Sequence, residues 1–192
     1  MKIKGVILSG GPESVTEGLS APKIPDFVFS LNVPILGICY GMQAIAQHFG
    51  GEVQSSDKRE FGYAKVKKEH DSLLLNELSD NVDNSTEEIL DVWMSHGDKV
   101  VRAPNDFKCI ASTDSCLIAG FESKNKRIFG LQFHPEVTHT KQGFFILRSF
   151  VTLICDCSKL WTPAAIIDDQ IRRVQSLVGK KKVLLGLSGG VD

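Results

Sequence analysis

The chain has 192 residues, 42% of them hydrophobic and 23% charged, with a formal net charge of −1. That is enough for one well-packed domain with some chain to spare, and the near-neutral balance excludes the broad basic field of a nucleic-acid binder. No apolar run approaches the roughly 20 residues of a membrane helix, and the opening MKIKGVILSGG is too briefly apolar for a signal peptide. Five cysteines, unevenly spaced, make no disulfide framework, so a reducing, cytoplasmic setting is expected.

In chain order, Val6-Ile7-Leu8 reads as a buried strand ended by the turn Ser9-Gly10-Gly11-Pro12. Pro34 to Ile38 is a second buried strand. Met42, Ile45, Ala46 and Phe49 keep helical spacing, and Gly50-Gly51 stops that helix. Ala64-Lys65-Val66-Lys67 alternates as a half-exposed strand does. Leu90 to Met94 is another strand, leading into a loop at Ser95-His96-Gly97-Asp98. Residues 117–122 and 127–133 read as a hairpin around a polar turn at 123–126. Phe144 to Ile154 reads as an amphipathic helix. Strands alternate with helices in the first half and a hairpin comes late, which predicts an α/β domain with a mostly parallel sheet and an antiparallel edge.

The composition changes near Leu160. Thr162-Pro163 is a helix start, and Ile167, Ile171, Val174 and Val178 line one face of the helix that follows. Lys182 to Leu187 then reads as a strand running into Ser188-Gly189-Gly190-Val191-Asp192. A strand and glycine loop at this point predict the start of a second domain, dividing the chain into 1–160 and 161–192.

The chemistry gathers at GICYG, residues 37–41. Strand, Gly-x-Cys-x-Gly and helix is the layout of a nucleophile elbow: a sharp turn lifts the side chain off the strand end, and the helix N-terminus favours the thiolate. The backbone N–H of Tyr40 can point at a developing oxyanion. Cys39 is therefore a candidate nucleophile, a buried structural thiol being the alternative that the elbow alone leaves open. The stretch GLQFHPE offers a base. His134 ends a strand, Pro135 turns the chain, and Glu136 can accept from the imidazole and fix its tautomer. The loop at Ser9–Pro12 can supply a second oxyanion donor, or be a plain turn.

SGGPES, GICYGMQ and GLQFHPEVTH, in that order, resemble the class I (triad) glutamine amidotransferases over residues 3 to about 157. DVWMSHGDKV, LWTPAAIIDD and LGLSGGVD further resemble those members in which an ATP pyrophosphatase domain follows and XMP is aminated to GMP. The resemblance implies a flavodoxin-like three-layer sandwich. Family members carry a further strand and helix, with a segment resembling DFGSQ, before the strand at Val6, so the sheet is expected to lack its first strand. It implies that Cys39 attacks the side-chain amide of L-glutamine, that His134 relays the proton and Glu136 orients it. Gly11 and Tyr40 would form the oxyanion hole, and Gln43, Ser95 and His96 would hold the substrate. The glutaminase step needs no cofactor. ATP and Mg2+ belong to the synthetase half, with Ser188, Gly189, Gly190, Val191 and Asp192 as the beginning of its phosphate loop, and a homodimer is implied only for the complete enzyme. Two rival functions stand beside this reading: a cysteine hydrolase for another γ-glutamyl compound or a peptide, and a silent fragment that only binds partners.

The remaining candidates read as structural. Cys155-x-Cys157 is poorly spaced for zinc. Cys109 and Cys116 flank a strand and turn, His48 suits a helix C-terminus, His70 reads as solvated, and His139 receives no catalytic role. Lys180-Lys181-Lys182 reads as a solvated run before a strand.

Overall fold

The computed structural model describes residues 2–18, 21–82, 88–125, 127–158, 162–184 and 186, with the backbone alone for 56–59 and 81–82. It divides into two compact units, Met1–Cys157 and Ser158–Asp192. The phosphate-loop candidates Ser188, Gly189, Gly190, Val191 and Asp192 lie outside the described residues.

The first unit is built on an eight-stranded sheet. Its strands are β1 (Val6–Leu8), β2 (Ile35–Ile38), β3 (Glu52–Lys68), β4 (Asn81–Val82), β5 (Glu88–Arg102), β6 (Phe107–Ser112), β7 (Gly120–Ser123) and β8 (Ile128–Leu131). The spatial order is β1-β2-β8-β7-β6-β3-β5-β4. β1, β2 and β8 run parallel, whereas the other five pairings are antiparallel. The expected α/β sheet is present, but its antiparallel part is larger than the alternation of elements predicts. The cause is the long β3–β5 ladder, of which the sequence showed only short alternating pieces.

Side chains leave alternate faces of a strand, and this sorts the core into two layers. Ile35 and Ile128 point to the face covered by α2 (Tyr40–His48), where Met42, Ile45 and Ala46 meet Val100, Phe107 and Phe121. Their neighbours Leu36 and Phe129 point to the other face, packed with Val92, Met94, Ile146, Phe150 and Ile154. That second layer is carried by α3 (Gly143–Arg148), which passes into a π-helical turn at Ser149–Ile154. The wide turn is visible in Cys155 N–H donating to Phe150 O at 2.8 Å, five residues back. A short helix, α1 (Asp26–Ser30), had no signal in the sequence beyond the apolar Phe27, Val28 and Phe29.

Two further differences concern element ends. Ser95–Asp98 is not a loop: β5 continues through it to Arg102. The burial of β5 alternates strictly, Leu90, Val92, Met94, His96, Asp98 and Val100 all facing inward. The polar pair thus takes positions that the strand period dictates. Lys182–Leu184 and Gly186 carry no strand, residues 185 and 187 being outside the described set. In the second unit, α4 (Pro163–Val178) is capped by Thr162, whose hydroxyl accepts from Ala165 N–H at 3.2 Å.

Candidate active site

The cysteine turn is forced by its neighbours. Cys39 sits between β2 and α2 with φ 50° and ψ −105°, a strained conformation for a side-chain-bearing residue. Its N–H is anchored to Leu131 O of β8 at 2.7 Å and its carbonyl accepts from Gln43 N–H at 3.1 Å. The glycines on either side are steric necessities. A Cβ on Gly37 would lie 2.6 Å from the backbone of Gly41, and one on Gly41 would lie 2.3 Å from Leu8 O. Only backbone fits where strand, turn and helix close on each other.

His134 arrives from the end of β8. Its N–H donates to Trp93 O at 3.0 Å and its carbonyl accepts from the Thr140 hydroxyl at 2.6 Å, which clamps the residue at both ends. Its Nδ1–H donates to Glu136 Oε1 at 2.6 Å. The opposite nitrogen, Nε2, is buried and completes no hydrogen bond of ordinary geometry. Cys39 nevertheless acts on this ring. Interaction with Cys39 first, and with Glu136 second, pushes the imidazole up to about 10 against the effect of burial. Burial disfavours the Glu136 carboxylate, but the hydrogen bond from His134, a backbone hydrogen bond and the charge of His134 together outweigh that and hold the carboxyl below its ordinary value. Gly10 separates the two reacting groups: a Cβ there would stand 3.1 Å from His134 Cε1 and 3.5 Å from Cys39 Cβ.

Gly11, Cys39, Tyr40, Gln43, Ser95 and His96 line one cleft of about 440 Å³. All six are candidates read in the sequence, whereas His134 and Glu136 do not line the cleft itself and reach it through Gly10 and Cys39. Tyr40 opens α2, so its N–H belongs to the first turn, where helix donors lack intrahelical partners. Its hydroxyl is tied to Pro22 O at 2.7 Å; burial, then the charges of Glu13 and Glu17, push it up. The same two glutamates line the cleft and give it a negative mouth.

Four participants escaped the sequence reading. Gln132 is fully buried beside Cys39, and Asp98 O accepts from both Gln43 Nε2, at 2.8 Å, and His96 Nδ1, at 3.0 Å. The Asp98 carboxylate accepts from the Ser14 hydroxyl, joining β5 to the loop after β1. Phe61 lies opposite Ser95 on β3 and walls the cleft. The signal was available for Asp98, as the next inward step of the β5 alternation, and for Gln132, as a polar residue in the apolar run IFGLQF. His96 is more enclosed than expected: its Nε2 is buried without a hydrogen bond, 3.6 Å from Glu60 Oε2, and burial pushes the ring below its ordinary value against the pull of Glu60.

Elsewhere, burial pushes the Cys116 thiol up to about 12 and Cys155 up to about 11, and raises Cys109 as well. His70 is exposed, as expected, and its Nδ1 donates to Cys109 O at 2.9 Å. His48 stacks on Phe29 at 4.1 Å, and His139 lies against Trp93 at 4.5 Å. Among the described residues no group of three or more His, Cys, Asp or Glu could hold a metal ion, and no helix is long and apolar enough to cross a membrane.

Known proteins share this arrangement of segments. The chain is 58% identical over 189 residues to the glutamine-hydrolysing GMP synthase of Teredinibacter turnerae and 55% identical over 188 residues to that of Yersinia enterocolitica. Each alignment takes in 98% of this chain and 36% of the relative, so the chain spans about a third of the length of the curated relatives it matches. A solved structure of a candidate GMP synthase component from Thermoplasma acidophilum is 32% identical with a TM-score of 0.65, covering 91% of this chain and 77% of that one. A glutamine amidotransferase structure from Thermotoga maritima, 24% identical with a TM-score of 0.58, covers 91% and 73% and shares the fold. Residues 1–154, which hold the elbow, the His134–Glu136 pair and the cleft, match the family described as glutamine amidotransferase class-I, and to that family the chain belongs.

Proposed function

We propose that this chain hydrolyses L-glutamine to glutamate and ammonia through Cys39, His134 and Glu136. In the complete protein the ammonia would serve the ATP-dependent amination of XMP to GMP, as the names of the relatives suggest. The observation that carries the reading is the convergence of Cys39, on its strained turn, with the His134 imidazole, both against Gly10, while Glu136 holds the ring by Nδ1 at 2.6 Å.

The chemistry follows from that pair. With the proton resting on His134, the Cys39 sulfur attacks the side-chain carbonyl carbon of glutamine. The carbonyl π electrons move to oxygen, where the N–H groups of Gly11 and Tyr40 receive the negative charge. Collapse of this intermediate breaks the C–N bond, and His134 gives its proton to the departing ammonia. A water then attacks the γ-glutamyl thioester, His134 takes a proton from it, and the thiolate leaves. Glu136 keeps the imidazole oriented and stabilises its charged form throughout.

Substrate handling falls to the rest of the cleft. Both N–H groups of Gln43 are committed inside the protein, to Asp98 O and to Gln132 Oε1, which leaves its Oε1 as the atom to meet a substrate N–H. Ser95 and His96 offer the backbone of β5 to the amino-acid end of glutamine, and the charges of Glu13 and Glu17 favour its α-ammonium. A peptide substrate would lack that ammonium at the matching place, which counts against the peptidase alternative. No cofactor enters the glutaminase step. ATP and Mg2+ would be held by the synthetase half, for which the helix Pro163–Val178 and residues 188–192 are the first portion. A cytoplasmic setting accords with a chain of free thiols.

Acid quenching during turnover, followed by mass spectrometry, tests the reading. A γ-glutamyl adduct on the Cys39 peptide is expected, absent from Cys39→Ala. Turnover of glutamine with no adduct on Cys39, at any quench time, would overturn it.

A further inference from the structure

The strongest unassigned feature is a buried amide aimed at the reacting sulfur. Gln132 is 0% exposed, and its Nε2 stands 3.7 Å from Cys39 Sγ, within reach of an N–H to sulfur hydrogen bond. We propose that Gln132 is a catalytic residue of this site: its side-chain N–H donates to Cys39 Sγ and stabilises the thiolate, both before attack and when it leaves the thioester.

The direction of that bond is set by a chain anchored on the backbone. Asp98 O is a carbonyl and can only accept, so the Gln43 atom 2.8 Å away must be its nitrogen. The second N–H of the same nitrogen then faces Gln132 at 3.3 Å, which must present its oxygen. With Oε1 so fixed, the planar amide turns Nε2 toward Cys39. Reversing Gln132 would set two N–H groups against each other in a buried place and leave the sulfur facing an oxygen. The main chain holds the residue equally firmly, since Gln132 N–H donates to Ala119 O at 2.8 Å and the adjoining Leu131 O accepts from Cys39 N–H at 2.7 Å.

The assignment explains an otherwise costly burial. A primary amide with no exposure loses its hydration, and a long polar chain at the end of the apolar strand β8 would serve packing less well than Leu. A donor to a charged sulfur supplies the return, because hydrogen bonds to charged groups are about twice as strong as neutral ones. Other charged and titratable groups around the thiol are His134 with Glu136, His96 with Glu60, and the Asp98 carboxylate bound to Ser14. Another polar contact of the sulfur is Ser95 O at 3.5 Å, a carbonyl that can only accept.

The test is the pH dependence of Cys39 alkylation by iodoacetamide, followed on the Cys39 peptide by mass spectrometry, in the full chain and in Gln132→Met and Gln132→Glu. Alkylation needs no glutamine, so this inference, which rests on the proposed glutaminase site, fails or stands separately from that reading. Gln132→Glu keeps nearly the same volume, but ionised it sets a charge beside the sulfur that opposes the thiolate with or without the hydrogen bond, so it controls for folding and Gln132→Met decides the proposal. In the folded variants, with melting temperature as the control, the alkylation profile is expected to move to higher pH. On the acid side of the profile, where the thiolate is the minor form, the rate should fall about tenfold, the loss of one hydrogen bond to a charged group. Glutaminase kcat should fall with it while KM changes little. Profiles that superimpose on the unaltered protein would overturn the proposal, whatever happens to kcat. An altered profile in a chain that never hydrolyses glutamine would uphold the proposal and defeat the glutaminase reading alone.

Discussion

His134 Nδ1 and Glu136 Oε1 stand 2.6 Å apart across a single proline. Pro135 cannot extend the ladder of β8, so the chain turns there and brings the carboxylate back against the ring that precedes it. After the larger effect of Cys39, the contact raises His134, and it helps to lower Glu136 against burial, each in the direction expected of an ion pair. Replacing Glu136 by Gln should lower kcat by about a hundredfold, within the span usual for a positioned acid–base group. Because the charge of Glu136 helps to raise His134, the alkaline limb of the kcat/KM profile should move to lower pH in the variant. Steady-state glutamate release across pH checks both expectations.

The same pair makes stability depend on pH in a defined window. The raised His134 stabilises the fold fully below its unfolded value of about 6.5, and this contribution is lost as pH climbs through about 10. The depressed Glu136 stabilises above its unfolded value and loses that effect as pH falls through its lower folded value. The difference in melting temperature between the unaltered chain and Glu136→Gln should therefore be widest around neutrality and narrow at both extremes. Glu136 is 44% exposed, so solvent screening limits the effect to about 1 kcal/mol. Thermal melts from acid to alkaline pH measure it.

Gly41→Ala should be the most damaging of the small changes in the elbow. Its Cβ would lie 2.3 Å from Leu8 O, and neither backbone can retreat without opening the contact between β1 and α2. Overpacking of this kind costs about 3 kcal/mol, or roughly 10 °C in melting temperature for a unit of this size. Gly10→Ala should act differently. Its nearest neighbour is a ring carbon of His134 at 3.1 Å, so the imidazole gives way and the fold holds. The expectation is a loss of about tenfold in kcat with a melting temperature within a few degrees, since small misplacements of catalytic groups are expensive in rate.

Native alkylation should set an order among Cys39, Cys116 and Cys155. With Cys116 pushed up to about 12 and Cys155 up to about 11, both are almost wholly protonated at neutral pH, and the thiolate is the reactive form. A limited dose of iodoacetamide at pH 7 should label Cys39 before either of them, and Cys39→Ala should leave both unmodified over the same time. Peptide mapping reads the order directly.

Much of the site was legible because its residues sit where local rules act alone. Val6–Leu8, Ile35–Ile38 and the helix after Cys39 announce themselves by apolar runs, glycine stops and helical spacing. The His134–Glu136 contact is a matter of two residues and a proline. What escaped depends on partners distant in sequence. The β3–β5 ladder is held by pairings such as Phe61↔Ser95 and Tyr63↔Trp93, and a register shift between Ser55 and Glu60 breaks its pattern beside the cleft. Ser95–Asp98 looks like a loop because Ser, Gly and Asp favour turns, yet the strand continues and turns His96 and Asp98 inward. Gln132 looks like a misplaced polar residue until the thiol and Gln43 are set beside it. The helical run from Phe144 was right as far as Arg148, but nothing in SFVTLI distinguishes the wide turn from an ordinary one.

The central claim is that Cys39 is the nucleophile of a glutaminase. Glutamate release from L-glutamine by this 192-residue chain, measured beside Cys39→Ala with circular dichroism on both, tests it most directly. The account predicts release by the unaltered chain and none by the variant, with superimposable spectra. Equal release by both folded proteins would contradict it.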